Sequence, residues 1–215
     1  MIKTFVFNHF AENTYVVFNK EKDCVIIDAG NKSESETFEL EEFIEHSNLF
    51  VKGILLTHPH LDHFAGAEAL CRKYSVPLYL HKDGEQILES MVLSANAMGF
   101  APTNIMEVRK QFLEYDTTIE FGGLSFKVLD VSGHAPGSIA YYYKEENAVF
   151  VGDALFFESI GRTDLIGGDL DLLISNIRKN LFSLPPDTVV YCGHGPQTDV
   201  DYEAANNPYI NGLDI

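Results

Sequence analysis

Three times in this chain a β-branched, apolar run meets a glycine, and the next residue is an imidazole or a carboxylate. The runs are Val128–Gly133 before His134, Val149–Gly152 before Asp153 and Val189–Gly193 before His194. Glycine has no Cβ, so a strand that ends in it can turn sharply and pass its backbone close to whatever lies there. A fourth apolar run, Gly53–Thr57, leads straight into His58-Pro59-His60-Leu61-Asp62-His63, which holds three imidazoles and one carboxylate in six residues. A chain built this way brings strand ends together and must be rich in sheet.

Imidazole nitrogen and carboxylate oxygen suit zinc, and also iron or manganese. In an extended loop His58 and His60 point the same way, so one ion can take both. Where the chain turns into the following helix, Asp62 and His63 can address a second ion. Each ion needs more ligands than this segment supplies, and His134, Asp153 and His194 are the candidates. His9, His46 and His81 lack the strand–turn–ligand context and are left out.

The rest of the sequence fits a layered α/β fold. Ile2–Asn8, Thr14–Asn19 and Cys24–Asp28 read as short strands separated by polar turns. Ser33–His46 reads as a surface helix, Phe64–Tyr74 as a helix and Pro77–Leu80 as a strand, which with Gly53–Thr57 makes a βαβ unit. Residues 82–115 read as helical pieces with a break around Gly99–Pro102. Strands return at Thr117–Phe121, Leu124–Asp130, Ile139–Tyr143 and Ala148–Val151, the first two joined by a Gly122-Gly123 hairpin. Leu170, Leu173, Ile177, Leu181 and Leu184 recur at helical spacing over Asp169–Leu184, where Pro185-Pro186 stops the helix. Thr188–Cys192 is a last strand. Two halves of similar pattern suggest a sandwich with sheets inside and helices on both faces. No linker divides the chain, so one domain over 1–215 is expected. Met91, Met98, Phe100, Met106 and Phe112, with Gly99 as a hinge, are expected to pack as ordinary helix core; the alternative is a lid or pocket wall.

Composition narrows the partners. Fifteen basic residues against 32 acidic ones give a net charge of -17, which disfavours nucleic acid and anionic membrane surfaces. No apolar run is long enough to cross a bilayer, and the N-terminus lacks a signal-peptide pattern. Cys24, Cys71 and Cys192 are odd in number and far apart, as buried thiols in a reducing compartment would be. A cytoplasmic protein acting on a small molecule is expected; nothing here bears on its oligomeric state.

The segments THPHLDH, GHAPGS, GD and GHG, in that order, resemble the metallo-β-lactamase superfamily, and most of all its short bacterial glyoxalase II-like branch. The resemblance runs over nearly the whole chain. It includes Asn13-Thr14-Tyr15, Asp28-Ala29-Gly30, Gly161-Arg162-Thr163-Asp164 with Gly167-Gly168-Asp169, and Gly193-His194-Gly195-Pro196. It implies an αββα four-layer sandwich with the site at the sheet edge. It further implies that His58, His60 and His134 hold one divalent ion, that Asp62, His63 and His194 hold the other, and that Asp153 bridges them. Zinc is the expected metal, with iron or manganese compatible with the same donors. Asp62 and Asp153 would be the catalytic carboxylates in hydrolysis of a thioester or related ester by a metal-bridging hydroxide. The resemblance also keeps open a mononuclear-iron persulfide dioxygenase, which would need only His58, His134 and Asp153, and a lactonase-type hydrolase. A metal-binding module without catalysis is the reading from outside enzymology. Asp28 is expected to be a structural cap, Arg162 and Asp164 an ion pair bracing the loop after Asp153, Cys192 a buried thiol and Tyr15 a core residue.

Overall fold

The computed structural model describes residues 1–211. The first sheet contains β1 (Ile2–Phe7), β2 (Glu12–Phe18), β3 (Asp23–Ile27), β4 (Phe50–Leu55), β5 (Leu78–His81) and β6 (Lys110–Leu113), in that spatial order. The pairings β1-β2 and β2-β3 are antiparallel, and from β3 onward the neighbours are parallel. Helices α1 (Glu34–His46), α2 (Leu61–Phe64), α3 (Ala67–Tyr74) and α4 (Glu85–Ser94) fill the connections.

The second sheet begins with β7 (Thr118–Phe121), β8 (Leu124–Asp130), β9 (Ile139–Tyr143) and β10 (Ala148–Gly152). A two-stranded ribbon, β11 (Leu155–Phe156) and β12 (Ser159–Ile160), and helix α5 (Leu170–Asn176) lead to β13 (Val189–Cys192) and β14 (Thr198–Asp199). The sheet order is β14-β13-β10-β9-β8-β7, with β13 parallel to β10. Two short helices, α6 (Val200–Asn206) and α7 (Pro208–Asn211), follow.

Strand alternation decides the layering. Tyr15, Val17, Val25, Ile27 and Leu55 point to one side of the first sheet and pack on Phe126, Val128, Ile139, Tyr141 and Phe150 of the second. The intervening residues Val16, Cys24, Ile26 and Ile54 point the other way, against Leu40 and Ile44 of α1 and Leu70 of α3. On the second sheet, Leu129, Val149, Val151 and Val190 meet Leu173, Ile177 and Leu181 of the α5 region. Period-two strands buried on both faces thus give helix, sheet, sheet, helix, each buried large side chain contributing about 1.5–3 kcal/mol of transfer free energy. The αββα sandwich expected from the sequence is the architecture observed.

Several boundaries differ from expectation. Lys110–Leu113 is a strand, not helix; it is an edge strand with Phe112 47% exposed, so its residues lack the apolar run of a central strand. The helix expected over Phe64–Tyr74 is two helices, because Gly66 lies against the Asn31 side chain and its N–H donates to Ala29 O (2.8 Å). The α5 helix widens to a π turn at Ile177–Leu181. The ribbon β11-β12, strand β14 and helices α6 and α7 are additions. Elsewhere the pattern holds: Ser33 caps α1 through a reciprocal capping box with Glu36, and Gly122 and Gly123 make the β7-β8 turn with φ of 55° and 91°. Within residues 82–115, Leu88, Ala95, Phe100 and Ile105 are buried in the core under the first sheet's helices.

Candidate metal centre

The C-terminal ends of β4, β8, β10 and β13 converge on one edge of the sandwich, where loops from both sheets meet. Backbone ties hold them there. Ile139 N–H donates to Thr57 O (2.8 Å), joining the second sheet to the segment after β4. Asn13 N–H donates to Gly193 O (2.8 Å), and its side chain donates to Cys192 O (3.0 Å) and Gly195 O (2.9 Å). Tyr15 is a core residue whose hydroxyl donates to Cys192 O (2.5 Å). Cys192 is fully buried, as expected for an inert thiol.

All seven residues singled out as ligands come together, in two groups. One atom each of His58, His60, His134 and Asp153 lie within 4.8 Å of one another, and so do atoms of Asp62, His63 and His194. His60 Nδ1 faces His134 Nε2 at 2.9 Å, His63 Nε2 faces His194 Nε2 at 3.3 Å, and His194 Nε2 lies 3.2 Å from Asp62 Oδ2. Asp153 stands between the groups. Its Oδ2 lies 3.9 Å from His58 Nε2 and 3.7 Å from His134 Nε2, while Oδ1 lies 3.3 Å from His63 Nε2 and 3.6 Å from His194 Nε2.

The far side of each ring is tied to the scaffold. His63 Nδ1–H donates to Asp28 Oδ2 (3.0 Å), His134 Nδ1–H to Arg162 O (2.7 Å) and His194 Nδ1–H to Phe10 O (3.0 Å). Thr57 donates its hydroxyl to Asp28 Oδ2 (2.7 Å), leaving Oγ1 to accept from His58 Nδ1–H (3.0 Å). These bonds tie the Nδ1 atoms to the scaffold and turn the Nε2 atoms of His58, His63, His134 and His194 toward the centre. The Arg162–Asp164 pair forms with contacts of 2.7 and 2.8 Å and braces the turn whose carbonyl receives His134. On the other side of that loop, Asn176 at the end of α5 donates to Ser132 O (3.0 Å) and Asn180 of the π turn to Asp130 O (2.7 Å), so both hold the segment that leads to His134.

The residues fit a bound cation. His58 Nε2 and Asp153 Oδ1 are buried without a hydrogen-bond partner, a state that costs about 1–3 kcal/mol per group when left uncompensated. Ring nitrogens facing each other at these distances need a proton or a positive ion between them. Burial, reinforced by the neighbouring imidazoles, holds His58 well below the ordinary histidine range and His60 down to about 4, so both present lone pairs at neutral pH. Burial acts against the Asp153 charge too, but His63, His194 and His134 outweigh it and keep the carboxyl below its usual range. Burial likewise opposes charge on His63, and Asp153 and Asp62 overcome it, raising the ring well above its usual value. An excess of lone pairs and negative charge at one buried point is the electrostatic signature of a metal site.

Close packing leaves no slack. A Cβ on Gly193 would lie 2.2 Å from Asp153 Oδ1, and one on Gly152, already at φ 53°, would lie 2.3 Å from Thr57 Oγ1. The glycines that precede ligands are therefore required by space as much as by turn geometry.

Two buried carboxyl residues near the site differ from or escape the sequence reading. Asp28 is not merely a turn cap: it accepts from Thr57 N–H (2.7 Å), the Thr57 hydroxyl and His63, and so sits directly behind both ligand groups. It does so at φ 52°, a left-handed conformation unusual for aspartate and a signal of local strain put to use. Glu12 falls between the runs that read as strands, yet it is fully buried at the start of β2. Its Oε2 accepts from Thr14 Oγ1 (2.9 Å), and Thr14 in turn accepts from Gly30 N–H (3.0 Å), two residues beyond Asp28. Burial lifts its carboxyl well above the usual range. A single glutamate in a polar-looking run carries no sequence signal of this.

Comparison with known proteins agrees with the geometry. The sequence profile of the metallo-beta-lactamase superfamily matches residues 8–194. Hydroxyacylglutathione hydrolase GloC of Haemophilus influenzae is 34% identical over 203 residues, covering 94% of each chain. Among solved structures, the BLEG-1 B3 metallo-beta-lactamase superposes with a TM-score of 0.89 at 36% identity, covering 99% of this chain and 100% of that one. TTHA1623 in a di-iron-bound form superposes with a TM-score of 0.85 at 36% identity, covering 96% and 99%. The chain belongs to the metallo-β-lactamase superfamily. It is a metallo-β-lactamase-fold hydrolase whose fold is built for divalent metal. Among the described residues, no helix is long and apolar enough to cross a membrane.

Proposed function

We propose that this protein is a binuclear thioester hydrolase of the glyoxalase II type. His58, His60 and His134 would hold one ion and Asp62, His63 and His194 the other, with Asp153 giving one carboxylate oxygen to each. The observation that carries this reading is the split of Asp153 between the two groups, Oδ2 toward His58 and His134 and Oδ1 toward His63 and His194. Two divalent ions bound there supply Lewis-acid polarisation of a carbonyl and activate water at neutral pH. Zinc suits the donors, and iron or manganese does as well.

The chain's own groups do the rest. Asp28, through His63 and Thr57, fixes the ring orientations on which both ligand groups depend. Asp62 Oδ2 lies beside His194 Nε2, where a carboxylate can take up and orient a proton of the attacking water. The reaction converts thioester and water to carboxylic acid and thiol. A thiolate is a good leaving group, since a thiol's ordinary pKa is about 8.5, so no general acid is required. The GloC relative is a hydroxyacylglutathione hydrolase, which makes a hydroxyacyl thioester the first substrate to try. The free, buried Cys24, Cys71 and Cys192 suit a reducing compartment, and we place the enzyme in the cytoplasm, acting on small molecules.

The test is metal content by elemental analysis of untreated protein, followed by thiol release from hydroxyacyl thioesters. About two ions per chain and thiol release are expected. One iron per chain with oxygen uptake on a persulfide would replace the reading with a dioxygenase. Turnover of β-lactams or lactones but not thioesters would leave the metal assignment standing and move the substrate.

A separate expected result concerns Asp28. Asp28→Asn keeps the shape but weakens the bond to His63, and metal affinity should fall roughly 10–100-fold, as it does when a ligand histidine loses its carboxylate partner. Competition titration against a chromophoric chelator measures this. Unchanged affinity would return Asp28 to a purely structural role.

A further inference from the structure

We infer that the cleft beside His60 binds the acyl chain of the substrate, and that this chain is apolar. The inference rests on the thioester reading above and adds the class of acyl group. The cleft has a volume of about 340 Å³ and opens directly onto His60, so it is continuous with the candidate centre. One wall is helix α4, where Ile87 and Met91 are four residues apart and share a face. The opposite wall is Leu165 and Ile166, from the turn after the braced Arg162–Asp164 pair. The walls thus come from separate parts of the chain and converge on the same ligand.

Charge decides what can occupy it. Among the described residues the other lining groups are Gln86 and Ser90, both neutral, and no lysine or arginine lines the cleft. An anionic carrier with carboxylates or phosphates would find no basic side chain along these walls, and the chain's net charge of -17 adds to the penalty. An alkyl chain would find four apolar side chains, including Ile166, which is 85% exposed and gains most from being covered. A second cleft lies on the other side of the centre, lined by Phe156, Phe157 and Pro196 beside His194, and it is the more open of the two. An acyl chain ends, so the less open cleft suits it, whereas a thiol carrier continues outward and suits the more open one.

The experiment uses metal-loaded protein and acetyl, butyryl and hexanoyl thioesters of one neutral thiol, N-acetylcysteamine. Expected is a rise in kcat/KM of roughly threefold for each added methylene. Ile166→Asp changes an exposed side chain without disturbing the core and should lower the hexanoyl-to-acetyl ratio of kcat/KM at least tenfold; Met91→Ser should lower it in the same direction. A flat series, or a ratio unmoved in both variants, overturns the acyl assignment while the hydrolase reading stands. Cleavage of hydroxyacyl thioesters but of none of these three overturns the acyl assignment alone, and failure on both sets overturns the hydrolase reading with it.

Discussion

Asparagine in place of Asp153 is expected to slow hydrolysis by about a thousandfold and to reduce bound metal from about two ions per chain to one. The geometry makes this residue different from the other six. Each histidine reaches one group of ligands, whereas Asp153 directs one oxygen to each. An amide has one oxygen and turns an NH₂, a pair of donors, toward the other group, where a cation would sit. Asp153 also carries much of the negative charge that sets the electrostatics of His63, and its loss removes the largest attractive influence there. Elemental analysis and thiol-release kinetics on the same preparation read both effects. Full occupancy with turnover within tenfold of wild type would remove Asp153 from the bridging position.

Stripping the metal should lower the thermal midpoint by about 10 °C, restored on adding metal back. An ion present at a thousand times its dissociation constant stabilises the folded state by about 4 kcal/mol, and a chain of this size shifts its midpoint by about 2–4 °C per kcal/mol. Without the ion, His58 Nε2 and Asp153 Oδ1 remain buried and unpartnered. The stripped protein should also lose stability as the pH falls. His58 and His60 stay neutral in the fold because burial depresses them, while in the unfolded chain they take up protons near pH 6.5. The unfolded state therefore binds more protons below that pH and is favoured. Calorimetry with and without chelator, at pH 7.5 and 5.5, tests both statements; a midpoint indifferent to chelator would mean that the site is not a metal site.

The cluster of candidate ligands was legible because its signal is chemical and local. His58 to His63 spell out their donors in sequence, Asp153 and His194 each follow a glycine that packing around Thr57 and Asp153 demands, and His134 follows one packed against Leu173. The layers were legible because alternation along β2, β3 and β4 is clean. What stayed hidden is what depends on long-range contact. Asp28 looks like any strand-end aspartate until the fold places His63 and Thr57 against it. Glu12 becomes a buried carboxyl only because Gly30 leaves room for it, a Cβ there falling 1.9 Å from its Oε2. Edge strand β6 hides behind a charged and exposed sequence, and the short β14 pairs only at Val189 and Val190.

The ties from Asn13 and Tyr15 to Cys192, Gly193 and Gly195 join positions up to 182 residues apart. During synthesis this fixes an order of events. A nascent chain can bring together His58, His60, His134 and Asp153 before the last quarter of the protein has left the ribosome. The partner group must wait for His194, and β2 cannot be locked at its inner end until β13 arrives. Domains grow from the N-terminus, and contacts between distant positions close last. On the two-ion reading proposed above, a first ion would find its residues assembled before the last quarter is made, and a second would mark the moment at which the two ends of the chain have found each other.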